Sequence, residues 1–452
     1  MPVNRVLVAN RGEIAVRIIR AAHALGIETV QVVSAADTDS MAADMADRVV
    51  VIGPAQSKLS YLNPQLLLHT AIHTQCDALH PGYGFLAERA ELASLCGEHD
   101  ISFVGPAPET IDALGDKLRA RAIAEDAGVP LVPGTDSIAD VARAKEAAEE
   151  IGFPILVKAS AGGGGRGMFI ARNADDIVAS FDKASTEASE AFGDGTMYME
   201  RFVANARHVE VQVLGDGEGR VVHYGERDCS TQRRYQKVIE EAPCAIMPAA
   251  VRTKLHEAAV NLLSKLKYRN AGTVEFLYDV DNQDVYFIEV NTRIQVEHPV
   301  SEQVTGADLV QLQFKIAGGE AVNFDQTQIN VDRHSIECRI NAEDPARDFM
   351  PSPGRINGWY PPHGAGIRID SHCRDGYLVP PFYDSMIGKL IVTATDRDNA
   401  VERLNVALET FEIDGVTTNL PLLRQIANHP DFKANKISTR WLEQQVLPGF
   451  QP

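Results

Sequence analysis

The stretch Val274–His298, VEFLYDVDNQDVYFIEVNTRIQVEH, reads as two short strands joined by a turn centred on Asn282 and followed by a polar exit. Positions 275 and 289 are equidistant from that centre, so antiparallel pairing sets Glu275 directly opposite Glu289. Like charges so placed are destabilising unless a cation sits between them. Hard oxygen ligands, extended by the Asn291 amide one pleat on, suit Mg²⁺ or Mn²⁺ better than zinc. A solvated hairpin face with water-screened charges is the competing reading. Past Asn291, extended backbone would put Arg293, Gln295 and Glu297 on one side. There a guanidinium fork and an amide can hold a small planar oxyanion, and the carboxylate can take a proton from it.

Upstream, residues 5–115 alternate β-branched runs (RVLVAN, ETVQVVS, RVVVIG, CDALHP, ISFVG) with helical patterns such as GEIAVRIIRAAHALG, the signature of a parallel α/β layer. HPGYGFL (80–86) follows a strand, which places its glycines and Tyr83 at the carboxyl edge where open sheets collect ligands, or in a plain turn. GDKLRARAIAEDAGVP is one helix with Lys117 in its first turn, where a cation opposes the helix dipole unless an anion shares the site or solvent covers it.

Residues 131–203 form a small α/β lobe around the loop AGGGGRGM. Its nearly bare backbone would let N–H groups approach phosphate oxygens, with Lys158 and Arg166 supplying charge. No Gly-Lys-Ser/Thr closes the loop, so it is not a Walker A motif, and a flexible hairpin is the alternative. Lys158, in the middle of an apolar strand, favours phosphate because a half-buried ammonium wants an anion. A third part begins near Asp332.

The 452 residues allow two or three domains, and 45% hydrophobic with 23% charged residues is an ordinary globular balance. A net charge of −19 argues against a nucleic-acid surface. Six scattered cysteines without a CxxC pair suggest reduced, buried thiols and neither zinc nor a disulfide framework. The N-terminus reads as a strand and not a signal peptide, and no apolar run reaches spanning length, so a cytoplasmic protein without membrane contact is expected.

Taken together, VANRGEIAVRIIRA, HPGYGFL, GGGGRGM, RHVEVQV, ERDCSTQRRYQK, EEAP, FIEVNTRIQVEHPV, ECRINAEDP, PSPG and YDSMIGK resemble the biotin carboxylase family of ATP-grasp enzymes along essentially the whole chain. The resemblance implies a mixed α/β and α+β fold. It would comprise an N-terminal α/β domain (1–115), an ATP-grasp domain (116–331) whose residues 131–203 form a mobile lid, and a C-terminal domain (332–452).

It further implies that Lys117 and Lys158 bind ATP phosphates, with Gly163, Gly164, Gly165, Arg166 and Gly167 closing over them. Glu200, Val203, His208, Gln232 and Leu277 would complete the nucleotide site, and Glu275, Glu289 and Asn291 would ligate magnesium. Lys237, Arg293, Gln295 and Val296 would hold bicarbonate, Glu297 would be its base, and Arg339 with Tyr83 would meet biotin. The family's activity is ATP- and bicarbonate-dependent carboxylation of biotin through carboxyphosphate, in multisubunit enzymes such as acetyl-CoA carboxylase.

In the family the biotin-bearing lysine sits between methionines, and none of the nine methionines here is followed by Lys, so the resemblance implies biotin on a separate carrier protein, with a carboxyltransferase as further partner and homodimerisation. Tyr235 stands where the family usually has His, Phe169 where Arg is common, and Ala161 where a longer glycine run begins. A carboxylate–amine ligase would share the lysines, glycine loop and metal pair but lack RIQVEHP and the Arg339 segment. A degenerate ATP-binding protein would be expected to have lost charged catalytic positions, all of which are present.

Overall fold

The structure is a computed structural model that describes residues 2–138, 140–160, 168–320 and 322–450. The N-terminal layer is a five-stranded parallel sheet in the order β3-β2-β1-β4-β5, made of β1 (Arg5–Val8), β2 (Glu28–Val33), β3 (Arg48–Val51), β4 (Ala78–His80) and β5 (Ser102–Phe103). The helix Gly12–Ala24 buries Ile14, Val16, Ile18 and Ile19 against it. After β4 the chain turns at Gly82, whose φ of +63° and close approach to the Asn10 amide leave no room for a Cβ. Asn10 Nδ2 donates to the carbonyls of Pro81 at 2.7 Å and Tyr83 at 2.8 Å, which holds this loop rigidly at the sheet's carboxyl edge.

The 131–203 region folds as a three-stranded antiparallel sheet, β7-β6-β8, from β6 (Ile155–Ala159), β7 (Met168–Ala171) and β8 (Met197–Arg201). The helices Val141–Ile151 and Ala174–Phe192 pack on it around Ile155, Val157 and Phe181. Gly163, Gly164, Gly165, Arg166 and Gly167 lie outside the described residues. Phe169 packs against the lobe's own core.

The remainder is dominated by one eight-stranded antiparallel sheet. Its first six strands run β13-β12-β9-β10-β11-β14, from β9 (Ala206–Asp216), β10 (Val221–Arg233), β11 (Gln236–Ala242), β12 (Arg269–Asp279), β13 (Asp284–Asn291) and β14 (His334–Asn341). Strands Met386–Ala394 and Ile367–Ser371 extend it beyond β14. The third part of the chain therefore shares a sheet with the central part, because β11 pairs with β14. On one face Val209, Val211, Val213, Val274, Phe276, Phe287 and Val290 pack under the helix Ala249–Lys265. The residues alternating with them, Glu210, Gln212, Glu275, Glu289 and Asn291, fall on the other face.

The β12–β13 hairpin pairs Glu275 with Glu289 as its spacing predicts, but a bulge follows at once, since Phe276 pairs with Phe287. Ile288 is the extra residue. The bulge reverses the side-chain alternation, so that Phe287 and Val290 both reach the core while Glu289 turns away from it. The expected extended segment beyond Asn291 is absent: residues 292–297 are irregular and lead into the helix His298–Thr305. All six cysteines are free and buried. Among the described residues no helix is long and apolar enough to cross a membrane.

Candidate functional site

Neighbouring strands line up charged residues across the polar face. Glu289 lies opposite Glu275, Glu275 opposite Glu210, and Glu210 opposite Arg227. Glu210 and Glu275 are buried and Glu289 half-buried, and carboxylates persist side by side like this only because cations thread the row. Lys237 Nζ donates to Glu210 Oε2 at 2.5 Å, Glu297 Oε1 at 2.6 Å and Glu275 Oε1 at 3.0 Å. Arg227, fully buried, meets Glu210 Oε1 at 2.6 Å and donates to Gln212, Ser301, Thr273 and Gln295. Gln295 Nε2 in turn donates to Glu275 Oε1 at 2.9 Å.

Irregular backbone achieves what the expected strand would not. Gln295 and Glu297 turn down onto the sheet, while Arg293 lies across it, donating to Asn291 Oδ1 at 3.0 Å and to Glu88 Oε2 at 2.8 Å. Lys389, reaching over from the strand Met386–Ala394, donates to the Val296 carbonyl at 2.7 Å and pairs with Glu13 at 3.0 Å. The same Glu13 accepts the Tyr83 hydroxyl. Arg339 Nη2 donates to Glu297 Oε2 at 2.9 Å. Burial and the Glu13 charge hold the Tyr83 phenol protonated, against a smaller opposing pull from Arg339.

Electrostatics divides three of the carboxylates, Glu297, Glu275 and Glu289. Burial opposes ionisation of Glu297, yet Lys237, Arg339 and Arg227 outweigh it and hold the carboxyl below its ordinary range. Burial of Glu275 is likewise overcome by Lys237 and by His208, whose Nε2 stands 2.9 Å from Glu275 Oε2. Glu289 goes the other way: burial and the facing Glu275 charge push it up, and among the described residues its nearest cation, Lys117, is 3.9 Å off. An under-compensated carboxylate facing a second one, with the Asn291 amide on the same edge and 2.8 Å from Glu275, fits a hard divalent cation. His208, Glu210 and Glu275 also come within ligating distance of one another, but Lys237 already occupies that group.

Towards the lobe, Lys158 finds its anion within the protein, since Glu200 on β8 accepts from both Lys158 and Arg121. The anionic partner that a half-buried ammonium requires is thus supplied, in this structure, by Glu200. Glu200 is held by these cations in the structure. Val203 and Leu277 share a small apolar cluster with Val132, Ala206 and Tyr286, a surface suited to a flat aromatic ring. Gln232 is buried in register with Lys237, and its Oε1 receives no donor among the described residues. Tyr235 caps the β10–β11 turn with φ +65° and is 57% exposed.

Sequence reasoning left Glu210, Arg227, Glu240 and Lys389 unassigned. A signal existed for Glu210 in RHVEVQV, whose polar residues alternate with valines that fill the core. Arg227 and Lys389 carried no comparable pattern.

A small antiparallel lobe carrying Lys158 and a larger antiparallel sheet carrying Lys237 are the ATP-grasp arrangement, and the chain is an ATP-dependent ligase of that fold. Family models agree region by region: "Biotin carboxylase, N-terminal domain" matches residues 2–111, "Carbamoyl-phosphate synthase L chain, ATP binding domain" 116–324 and "Biotin carboxylase C-terminal domain" 337–444. Biotin carboxylase 1 of Bacillus subtilis is 47% identical over 99% of this chain and 100% of its own length. Biotin carboxylase of Pseudomonas aeruginosa is 46% identical over 98% of this chain and 98% of its own. The biotin carboxylase domain dimer of Hydrogenobacter thermophilus 2-oxoglutarate carboxylase, solved with MgADP, ADP and bicarbonate, superposes with a TM-score of 0.94 at 46% identity, covering all of both chains. The chain belongs to the biotin carboxylase family.

Proposed function

We propose that the chain carboxylates biotin carried on a separate carrier protein, using ATP, Mg²⁺ (or Mn²⁺) and bicarbonate, as a cytoplasmic, homodimeric component of a multisubunit carboxylase such as acetyl-CoA carboxylase. The observation that carries this reading is the convergence of Lys237, Glu297 and Arg339 at one point of the sheet beside the Glu275–Glu289 pair. Bicarbonate would take donors from Lys237, Arg293 and Gln295 and from the backbone around Val296, while Tyr83 and Arg339 border the biotin side. Val203 and Leu277 would flank adenine near Glu200, with His208 and Gln232 completing the nucleotide site. Lys117, Lys158 and the glycine loop (Gly163, Gly164, Gly165, Arg166, Gly167) would hold the phosphates.

Glu297, kept ionised by its cations, takes the bicarbonate proton. Those same cations make it a weak base, and its basicity rises as the incoming anion takes over part of Lys237. Bicarbonate oxygen then attacks the γ-phosphorus of ATP, ADP leaves, and Lys117 and Lys158 share the charge of the transferred group. Glu275, Glu289 and Asn291 would hold the metal, which when bound neutralises phosphate charge. Carboxyphosphate separates into CO₂ and phosphate. The phosphate accepts the ureido proton of biotin, Arg339 stabilises the enolate, and the biotin nitrogen attacks CO₂.

The test is ATP hydrolysis with and without bicarbonate, followed by transfer of labelled carboxylate to a biotinylated carrier. ATP hydrolysis indifferent to bicarbonate would refute the reading. The final acceptor is tested by adding acetyl-CoA carboxyltransferase to the carboxylated carrier; failure to form malonyl-CoA would move the chain to another carboxylase.

Two variants separate the halves of the site. Glu289→Gln should raise the Mg²⁺ concentration needed for half-maximal rate and lower turnover by about a hundredfold, as for a weakened ligand shell. Unchanged metal dependence removes Glu289 from the metal. Arg339→Ala should leave part of the bicarbonate-dependent ATP cleavage while carboxybiotin formation disappears. Equal loss of nucleotide binding would give Arg339 a different role.

A further inference from the structure

Behind Arg339 lie two glutamates that the chemistry above does not use. Glu240 on β11 and Glu337 on β14 are directly opposed in antiparallel register, and both are wholly buried. Opposed residues project from the same face with Cβ atoms about 4.5–5.5 Å apart, so two charges there repel strongly. Glu240 Oε1 accepts from Arg339 Nε at 2.5 Å. Its Oε2, and both oxygens of Glu337, receive no donor from the described residues. An isolated buried carboxylate is heavily penalised, and the ordinary escape is to bind a proton.

The surroundings decide which of the two escapes. Lys389, opposite Arg339 on the next strand, is already committed to Glu13 and the Val296 carbonyl. Arg339 divides its guanidinium between Glu240 and Glu297. On the outer strand Asp370 is paired with Arg368. Over the sheet lies the helix His298–Thr305. Glu297 at its head is held by Lys237 and Arg339, and His298 is kept neutral by burial with Nδ1 on the Gln295 carbonyl. Val300 and Val304 of that helix close an apolar cover with Ala242 and Ile391. Cys338, the neighbour of Glu337 in sequence, is a buried thiol whose ionisation is pushed well up. Burial, only partly offset by Lys389, and then the Glu240 charge drive Glu337 far above the ordinary carboxyl range. Burial against the pull of Arg339 leaves Glu240 at about 7.

We infer that Glu337 is a protonated acid in the working enzyme and that, with Glu240, it forms the positioning element of Arg339, an inference that rests on the biotin-side role proposed for that arginine. With Glu337 neutral, one negative charge anchors Nε from behind and leaves Nη2 for the substrate side, where it meets Glu297. When rising pH strips the pair of its proton, a second charge draws the guanidinium backwards, away from Glu297. Carboxybiotin formation then falls on the alkaline side while ATP binding, made elsewhere, does not.

The experiment uses Glu337→Gln, which keeps the shape of the neutral acid and does not ionise. The infrared difference spectrum of wild type minus variant at pH 7 should contain the carbonyl stretch of a protonated carboxyl; its absence overturns the inference. The alkaline limb of kcat/KM for carboxylation of free biotin should move up by about one pH unit or more, the size of a close charge interaction, with KM for ATP unchanged. An active variant with an unmoved limb overturns the positioning role. If Glu337→Gln does not fold, Glu337→Met, apolar and of similar length, replaces it with the same expected shift. A wild type without bicarbonate-dependent ATP hydrolysis would refute the proposed function, whereas the infrared band decides the protonation of Glu337 independently.

Discussion

Glu297→Gln should bind ATP as wild type does and lose bicarbonate-dependent ATP hydrolysis by about 10²–10⁴-fold, the range associated with a positioned general base. The loss is chemical and not conformational, because the two cations on Glu297 keep other anions. Lys237 retains Glu210 and Glu275, and Arg339 retains Glu240. The depressed carboxyl of Glu297 also sets a direction for pH. Its ion pairs contribute stability above the ordinary carboxyl pKa and lose it as pH falls through the lowered value, so the base remains ionised throughout the neutral range. Equilibrium nucleotide binding and steady-state ATPase with and without bicarbonate check the prediction. Bicarbonate-dependent hydrolysis at wild-type level in Glu297→Gln would remove the base assignment.

Arg227→Ala should destabilise the protein by about 3–5 kcal/mol, the usual consequence of removing one partner of a buried ion pair. Arg227 and Glu210 are both fully buried, and the guanidinium also supplies donors to Gln212, Thr273, Ser301 and Gln295. Without it Glu210 keeps Lys237 and a His208 ring 3.9 Å away, and Lys237 is then drawn from Glu297 towards the under-compensated charge. The urea midpoint should fall. Arg227→Met combined with Glu210→Met should recover part of that loss, since matched apolar replacement spares the desolvation penalty of both ions. A single Arg227→Ala variant with an unshifted midpoint would show that the arginine does not carry the network.

The alternation of valines with Glu210 and Gln212, the β-branched runs of the first hundred residues and the equal spacing of Glu275 and Glu289 about the hairpin were legible in the chain itself. Each depends on a local period, two for a strand and about three and a half for a helix, that residue order alone expresses. The facing pair Glu275 and Glu289 was found in this way; the family resemblance came instead from the quoted motifs and their order along the chain. What residue order could not express is the bulge at Ile288, because a plain period-two reading puts Phe287 and Glu289 on one face, and packing of Phe287 and Val290 under the helix Ala249–Lys265 is what reverses them. Nor could it give the irregular path of residues 292–297, which is held from three distant directions, by Glu88 on Arg293, Arg227 on Gln295 and Lys389 on the Val296 carbonyl. The joining of β11 to β14, which sets Glu240 against Glu337 and brings Arg339 to Glu297, is likewise a pairing between segments nearly a hundred residues apart. Such contacts arise from burial of whole faces and from charges that must find partners once water is excluded, so the tertiary structure alone decided them.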